Sequence, residues 1–579
     1  MLKRFVARLL IVLQIYGNLF QGVAHAADLA ESYPIRNEIH LHSSVDKHGS
    51  LRLALGTDGI KDSTELKWFD IPNYQAAKKL APQIGLSQIT EVEVDDENLS
   101  NYSDDNAYLS TDDESSFERE GITRNSQAAA FTLQGLKFSI SNNGTMVIEG
   151  RQTGDHKPIF LNNDAPIILD GVAALALKIT APRVVNTGTS SFKQLIVKGN
   201  YIEGEGEDED RSKTSFINYG NLTAKELFLS ACNSVNHQTI TAARFEINGE
   251  LTSDGSLTSD ELILEESAHL RLNENSRANI KTLFLSKASH FENQQQAEAV
   301  LNIGVLYGSD GSLTNLGTMA IDKMEVDSAF QSITNRHFLD IALGTIQAQQ
   351  FESHGTFTAE QSDLQVGDGQ NLGALKTKGL QVKSVFTNNT TGVVDTALVS
   401  GSGHLHNLGL IETQGDLDVD IKRFTNAEEA SIEVTQALGF DQTTFVINQG
   451  NMVAKAMTLF ASKTTQNGHM TTTTLNLTGG GEFENLGDID VDQDLNLERL
   501  DSFINKGNMS TKVINGYQKL ITLRNDSGAL FKVRDGPLEL ANTTALENGG
   551  TIEAQLLNLN SDQTTLLKSG ILKALSISL

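Results

Sequence analysis

Four aspartates stand at alternate positions in the stretch DIDVDQD, at Asp488, Asp490, Asp492 and Asp494, and three more in GDLDVD, at Asp416, Asp418 and Asp420. Alternate side chains of an extended strand share one face. Carboxylates held in such a row repel one another, and a hard cation such as Ca²⁺ would relieve this by taking oxygen ligands. Calcium is thus the one cofactor these residues suggest, although neither an EF-hand loop nor a G-G-x-G-x-D repeat accompanies them. A solvated outer face on an acidic chain accounts for the same aspartates without an ion. A carboxylate row beside a basic residue would also suit polysaccharide cleavage, and Arg499 and Lys422 are the nearest basic candidates.

The remaining reactive types are sparse. His40 and His42 share a strand face with Glu38, and His404-Leu405-His406 forms a second His-x-His. Two imidazoles fall short of the three converging ligands of a metal site, so exposed histidines are the simpler reading. Cys232 is the single cysteine, cannot form an internal disulfide, and lies in no nucleophile motif; it reads as a small buried residue. GTDG, GSDG and GGG lack the lysine and the helix of a phosphate loop. No catalytic and no cofactor-binding residue is assigned.

Such side chains need a scaffold, and the chain is long enough for an extended one: 579 residues, 39% of them apolar, with 48 glycines and only 7 prolines. Lys3, Arg4 and Arg8 precede the apolar stretch LLIVLQIYGNLF, and Ala24-His25-Ala26 resembles a cleavage site. Residues 1–26 therefore read as an export signal, too short to span a bilayer comfortably. No later stretch is apolar enough to cross a membrane. The formal charge is −28, and losing residues 1–26 removes three basic residues and leaves −31. That charge repels nucleic acid and anionic lipid, which argues against both as partners.

Residues 27–130 form an N-terminal region. IRNEIHLHSSV and SLRLALGTDGI alternate like strands. Residues 91–120 hold twelve acids against Arg119 alone, the composition of a solvated linker or loop. From 131 to 579 one phrase recurs, apolar-x-Asn-x-Gly-x-apolar. Eight stretches fit it, starting at Ile140, Phe216, Leu313, Leu405, Val446, Phe483, Phe503 and Leu546. The pairs Asn218/Gly220, Asn315/Gly317, Asn407/Gly409, Asn485/Gly487, Asn505/Gly507 and Asn548/Gly550 mark its corner. A small or β-branched residue follows (Ala224, Ile321, Thr413, Ala454, Val491, Thr511, Ala554), then an apolar-x-apolar triplet such as LFL 227–229 or LNL 495–497.

Triplets beginning at 457, 475 and 495 set a step of 18 to 20 residues. Three short strands per period, with Gly and Asn at fixed points, predict an all-β parallel β-helix of coils of about 20 residues. Strands this short cannot bury a face alone, so each coil must pair with the next. The triplet leucines, the phenylalanines and the small residues after Gly should point inward. The asparagines should align at one corner as side-chain ladders. Asn and Gly both tolerate left-handed backbone, which is the expected reason for their place at a turn.

The string LENGGTIEAQLLNL at 546–559 resembles the repeats of filamentous haemagglutinin-type exoproteins, and the resemblance covers about 131–579. It implies a right-handed β-helical shaft on a protein exported to the outer surface of, or secreted from, a Gram-negative bacterium. Members act as adhesins or carry a C-terminal toxin. The implied partner is a host-cell or neighbouring-cell surface glycan or protein. The family's secretion domain carries Asn-Pro motifs, and this chain has none. LSISL at 575–579 opens a fresh coil, so this edge is expected either to continue into a longer chain or to pair with a partner. A secreted polysaccharide-active enzyme on the same scaffold is the alternative from another class.

Overall fold

The computed structural model describes residues 39–45, 51–57, 68–70, 88–93, 127–133, 135–140, 145–153, 159–163, 166–198, 215–230, 233–295, 300–515, 520–540, 543–559 and 561–578. Every regular element among them is a strand. They build a parallel β-solenoid of about 21 coils of about 19 residues. Two compact units are distinguished, Met1–Asn233 and Ser234–Leu579. Residues 1–26, most of the acidic stretch 91–120, Glu38, Asn142 and Cys232 lie outside the described residues.

In the first unit, Ile39–Val45 and Leu51–Thr57 pair antiparallel, with Leu51–Thr57 in turn antiparallel to Trp68–Asp70. A second meander joins Gln127–Leu133, Leu136–Ile140 and Met146–Arg151. Met146–Arg151 in turn pairs parallel with Ile167–Thr180. Residues 131–140 belong to the antiparallel meander because the tight turn at Gly135, with φ of 84°, sends the strand back on itself. These extra strands cover the edge of the first coil, with Leu136–Ile140 on Met146–Arg151 and Ile39–Val45 parallel to Ile159–Asn163. Covering an edge strand removes a site for unwanted pairing.

The second unit shows the repeat at its most regular. Glu482–Asn485 lies between Lys463–Gln466 and Ser502–Asn505, parallel to both. The alternation of its sequence, EFEN, puts Phe483 and Asn485 inside and the glutamates outside. Asp488–Glu498 follows, with Ile489, Val491, Leu495 and Leu497 buried. Small and β-branched residues pack down one face in register: Thr413, Val434, Ala454, Thr472, Val491, Thr511 and Val533. Leu438, Met457, Leu475, Leu495 and Ile514 fill another. Phe483 stacks on Phe503 with ring centroids 5.3 Å apart. Each fully buried side chain of this size contributes about 1.5–3 kcal/mol, and only stacking hides it from water on both sides.

Two sequence expectations need correction. The strand after Gly and the triplet strand were read as separate. They run as one, as in Asn221–Ser230 and Asp488–Glu498, bent by a register shift such as that between Val491 and Asp494. A bulge bends the strand by leaving the ladder unpaired locally, and pairing resumes on either side of it. Nor is the Asn-x-Gly corner left-handed. None of its glycines among the described residues, Gly220, Gly317, Gly409, Gly450, Gly487, Gly507 and Gly550, has positive φ. The corner is also no open turn, since Gly220, Gly317, Gly409 and Gly550 are buried and Gly487 and Gly507 half-buried. The reason for glycine is steric. A Cβ on Gly220 would run into the Gly188 carbonyl, one on Gly409 into that of Asn389, and one on Gly550 into that of Ala529. In the same way a Cβ on Gly487 would strike the Gly468 carbonyl, and one on Gly507 that of Gly487. Only a residue without a side chain lets successive corners approach so closely.

The asparagines end their strands fully buried. Asn485 Nδ2 donates to Asn505 Oδ1, Asn505 to Asn525, and Asn525 to Asn548, each at 2.8 Å. Asn293, Asn315 and Asn335 are joined in the same sense at 2.9 Å, and Asn371, Asn388, Asn407, Asn426 and Asn448 at 2.7–3.0 Å. In the first unit Asn186 donates to Asn218 at 2.7 Å. A second proton satisfies backbone: Asn315 also reaches the carbonyls of Gly317 and Phe338, both at 2.8 Å. Buried amides thus use both donors, as burial of polar groups requires.

Leu272 interrupts the column between Ser253 and Asn293, and two ladder amides elsewhere keep a buried atom without a partner among the described residues. Ser353 replaces Asn, receives Asn335 at 3.3 Å, and leaves the buried Asn371 Oδ1 without a partner among the described residues. Gln466 accepts from Asn448 at 2.7 Å, but its own Nε2 is buried without a partner.

Candidate metal centre and outer faces

Because inward positions are committed to packing, chemistry falls to the outward side chains. The aspartates of DIDVDQD do not form a single row. Asp488 and Asp490 project outward between Ile489 and Val491, then the register shift turns the strand and carries Asp494 to the next face. Nor do carboxylates stack from coil to coil. Asp488 lies between His469 and Asn508, Asp490 between Thr471 and Ser510, and Asp494 between Thr474 and Val513. Asn508 donates to Asp488 at 2.8 Å and Asn515 to Asp494 at 2.9 Å. Carboxylate thus does not face carboxylate across these columns, and neutral donors serve two of the oxygens.

The basic residue that reaches this region is Arg534, not Arg499 or Lys422. Its Nη2 donates to the Val491 carbonyl at 2.7 Å and to that of Asp492 at 3.3 Å, and its Nη1 lies 3.7 Å from Asp490. Arg534 therefore clasps the bend left by the register shift, where carbonyls leave the ladder. Arg499 and Lys422 are exposed.

GDLDVD behaves similarly. Asp418 sits between Leu398 and Gly439, and Asp416 accepts from the Ala437 amide at 3.0 Å. His404 lies between Val385 and Arg423, and His406 between Thr387 and Thr425, so neither meets another ligand in the adjoining coils. His40 and His42 fall in Ile39–Val45.

One convergence was missed by reading motifs along the chain. His269 and His290 occupy the same outward position in successive coils and pair directly in register, with Glu292 two residues along the second strand. Their ligand atoms all lie within 4.8 Å of one another. The imidazoles meet edge to face with centroids 4.7 Å apart. His269 Nε2 points at Glu292 Oε2 from 3.7 Å and is buried without a hydrogen-bond partner. Glu292 is only 12% exposed. Its Oε2 accepts from Arg271 Nε at 2.8 Å and its Oε1 from Gln294 at 2.6 Å. Burial opposes the Glu292 charge, but the donations from Gln294 and Arg271 outweigh it and hold its pKa below the ordinary carboxylate range. Burial, with Arg271 for His269 and with the neighbouring imidazole for His290, pushes both histidine pKa values down.

Comparison of the chain with protein-family models, with curated proteins and with solved structures gives no match.

The sequence signal for the cluster is periodic, not local. AHLRLNE at 268–274 and SHFENQQ at 289–295 carry histidine at one place of a 21-residue step. Only superimposing periods brings them together. Elsewhere the outer faces carry isolated ion pairs between coils, such as Lys463–Glu482 at 2.8 Å and Lys506–Glu484 at 2.6 Å. Exposed pairs of this kind contribute little to stability. An open groove of about 330 Å³ is lined by the polar side chains of Ser332, Thr334, Gln350, Glu352, Asp368, Gln370 and Thr387 together with Ile333, Phe351, Gly369 and the exposed Val385. No helix among the described residues is long and apolar enough to cross a membrane.

Proposed function

We propose that this chain is an exported bacterial surface or secreted shaft of adhesin type, related to filamentous haemagglutinin-type exoproteins. It holds outward side chains, or a further module, away from the cell for attachment or toxin delivery. The observation that carries this reading is the division of labour along the solenoid. Coil after coil, inward positions repeat Leu, Phe, Asn and small residues, while outward positions vary and are mostly polar, with single apolar side chains such as Val385, Leu398 and Phe445 among them. Such a scaffold is rigid and tolerant of outer substitution, which suits presentation of contacts on its surface. The basic, apolar and small-x-small order of residues 1–26 supports export. The groove over Gln350, Glu352, Asp368 and Gln370 offers the groups that hydrogen-bond sugar hydroxyls.

The test is binding of the purified chain to arrays of host-cell and bacterial glycans and to cell-surface proteins. Saturable binding that weakens in Gln350→Ala/Gln370→Ala supports attachment through this groove, and silence across both arrays counts against adhesion. The same preparation incubated with acidic and neutral polysaccharides addresses the enzyme alternative, since release of new reducing ends would replace the adhesin reading.

A further inference from the structure

We propose that His269, His290 and Glu292 form a binding site for one borderline divalent cation of the zinc type, bridging two successive coils on the outer face. Three features carry it. The ligand atoms lie within 4.8 Å of one another, close enough for side-chain rotation to bring them onto one ion. Stacking in register fixes the two imidazoles side by side, so the coil geometry itself holds the pair. His269 Nε2 is sealed from solvent, has no hydrogen-bond partner and faces the Glu292 carboxylate. A buried ring nitrogen without a partner is costly in a merely structural role, and a metal bond would satisfy it.

The donor set selects the ion. Two imidazoles and one carboxylate suit Zn²⁺, Cu²⁺ or Ni²⁺; Ca²⁺ and Mg²⁺ prefer oxygen alone. Arg271 and Gln294 already hydrogen-bond the Glu292 oxygens and would orient the carboxylate as outer-shell partners do at metal sites. Glu250 occupies the same outward position in the preceding coil, in register with His269. The cation would act as a staple between coils, a role independent of any receptor bound elsewhere.

The test uses the full chain, stripped with a chelator and titrated with Zn²⁺ against a chromophoric zinc indicator at neutral pH. One equivalent should bind in the micromolar range or tighter, and an equal concentration of Ca²⁺ or Mg²⁺ should not displace it. Affinity should fall at least about tenfold in Glu292→Gln and further in His269→Ala/His290→Ala. Zn²⁺ should raise the thermal midpoint of the unaltered chain and leave that of the double variant unchanged. Both variants change outward residues, and far-UV circular dichroism verifies that each is folded before titration. Absence of a stoichiometric Zn²⁺ site, or a site retained in the folded double variant, overturns the assignment.

Discussion

Replacing Ser353 by Asn should make the protein more stable. Ser353 sits in register between Asn335 and Asn371 at the buried corner. Its hydroxyl receives Asn335 at 3.3 Å, longer than the 2.7–3.0 Å of the rungs from Asn371 to Asn448. It reaches nothing on the other side, so Asn371 Oδ1 is buried and unpaired. Asparagine would supply Oδ1 to Asn335 and Nδ2 to Asn371, and the same corner already accommodates asparagine in the coils on both sides. A net hydrogen bond contributes about 1 kcal/mol, and relieving a buried acceptor at least about 1 kcal/mol more. Ordering the longer side chain takes back part of this, leaving about 1–2 kcal/mol. The assay is urea unfolding followed by circular dichroism, where the midpoint should rise at unchanged slope. Ser353→Asp is the control of sign. It accepts from Asn335 but sets a second acceptor against Asn371 Oδ1, and should destabilise. Equal or lower stability of Ser353→Asn, with Ser353→Asp no worse, would refute the ladder argument.

Three further outcomes follow from the same geometry. Gln466→Asn should stabilise by about 1 kcal/mol, because the shorter side chain brings its amide level with Asn485 and pairs the orphaned nitrogen; its effect should add to that of Ser353→Asn in the double variant, since the sites share no partner. Gly487→Ala should cost about 1–3 kcal/mol in the same urea assay, because its Cβ strikes the Gly468 carbonyl and backbone must shift. Glu246→Gln should stabilise at neutral pH and lose that gain in acid: burial first, then the Glu265 charge, raises the Glu246 pKa, so native stability falls as pH rises through that raised value, and thermal midpoints of the two proteins should converge below the ordinary glutamate range.

How much was legible along the chain depended on which constraint a residue answers to. The strands, their period and the inward leucines and phenylalanines were readable, because burial in a repeating section imposes the same residue type every 18 to 20 positions. The cause of the glycine was not. Asn-x-Gly looks the same whether Gly adopts positive φ or only makes room, and the collisions of Gly220 with Gly188 and of Gly487 with Gly468 exist solely between coils. Rungs such as Asn335, Asn388 and Asn426 escaped the phrase because the Gly after them is displaced or replaced, and Asn371 because Gly369 stands where the phrase has an apolar residue, while their ladder position is unchanged. The Asp488–Asp494 row failed for a related reason. Strict alternation assumes a straight strand, and the shift at Val491 broke it.

That same contrast gives the outer histidines their weight. Inward columns repeat because packing and the ladder compel it, so repetition there says nothing about function. Outward columns are under no such compulsion: the position of Asp490 reads Thr471, Asp490, Ser510, and that of His404 reads Val385, His404, Arg423. Against that background the column Glu250, His269, His290, Ser312 places two imidazoles in adjoining coils beside a glutamate held by Arg271. The fold needs neither imidazole, since the same outward position is filled by Glu250 in the coil before the pair and by Ser312 in the coil after it. What the fold does supply is their spacing, set by the pairing of one coil on the next. A solenoid thus turns a coincidence at 21 residues in sequence into a fixed pair in space, and any outward residue repeated at the coil period is where chemistry on this scaffold should be sought first.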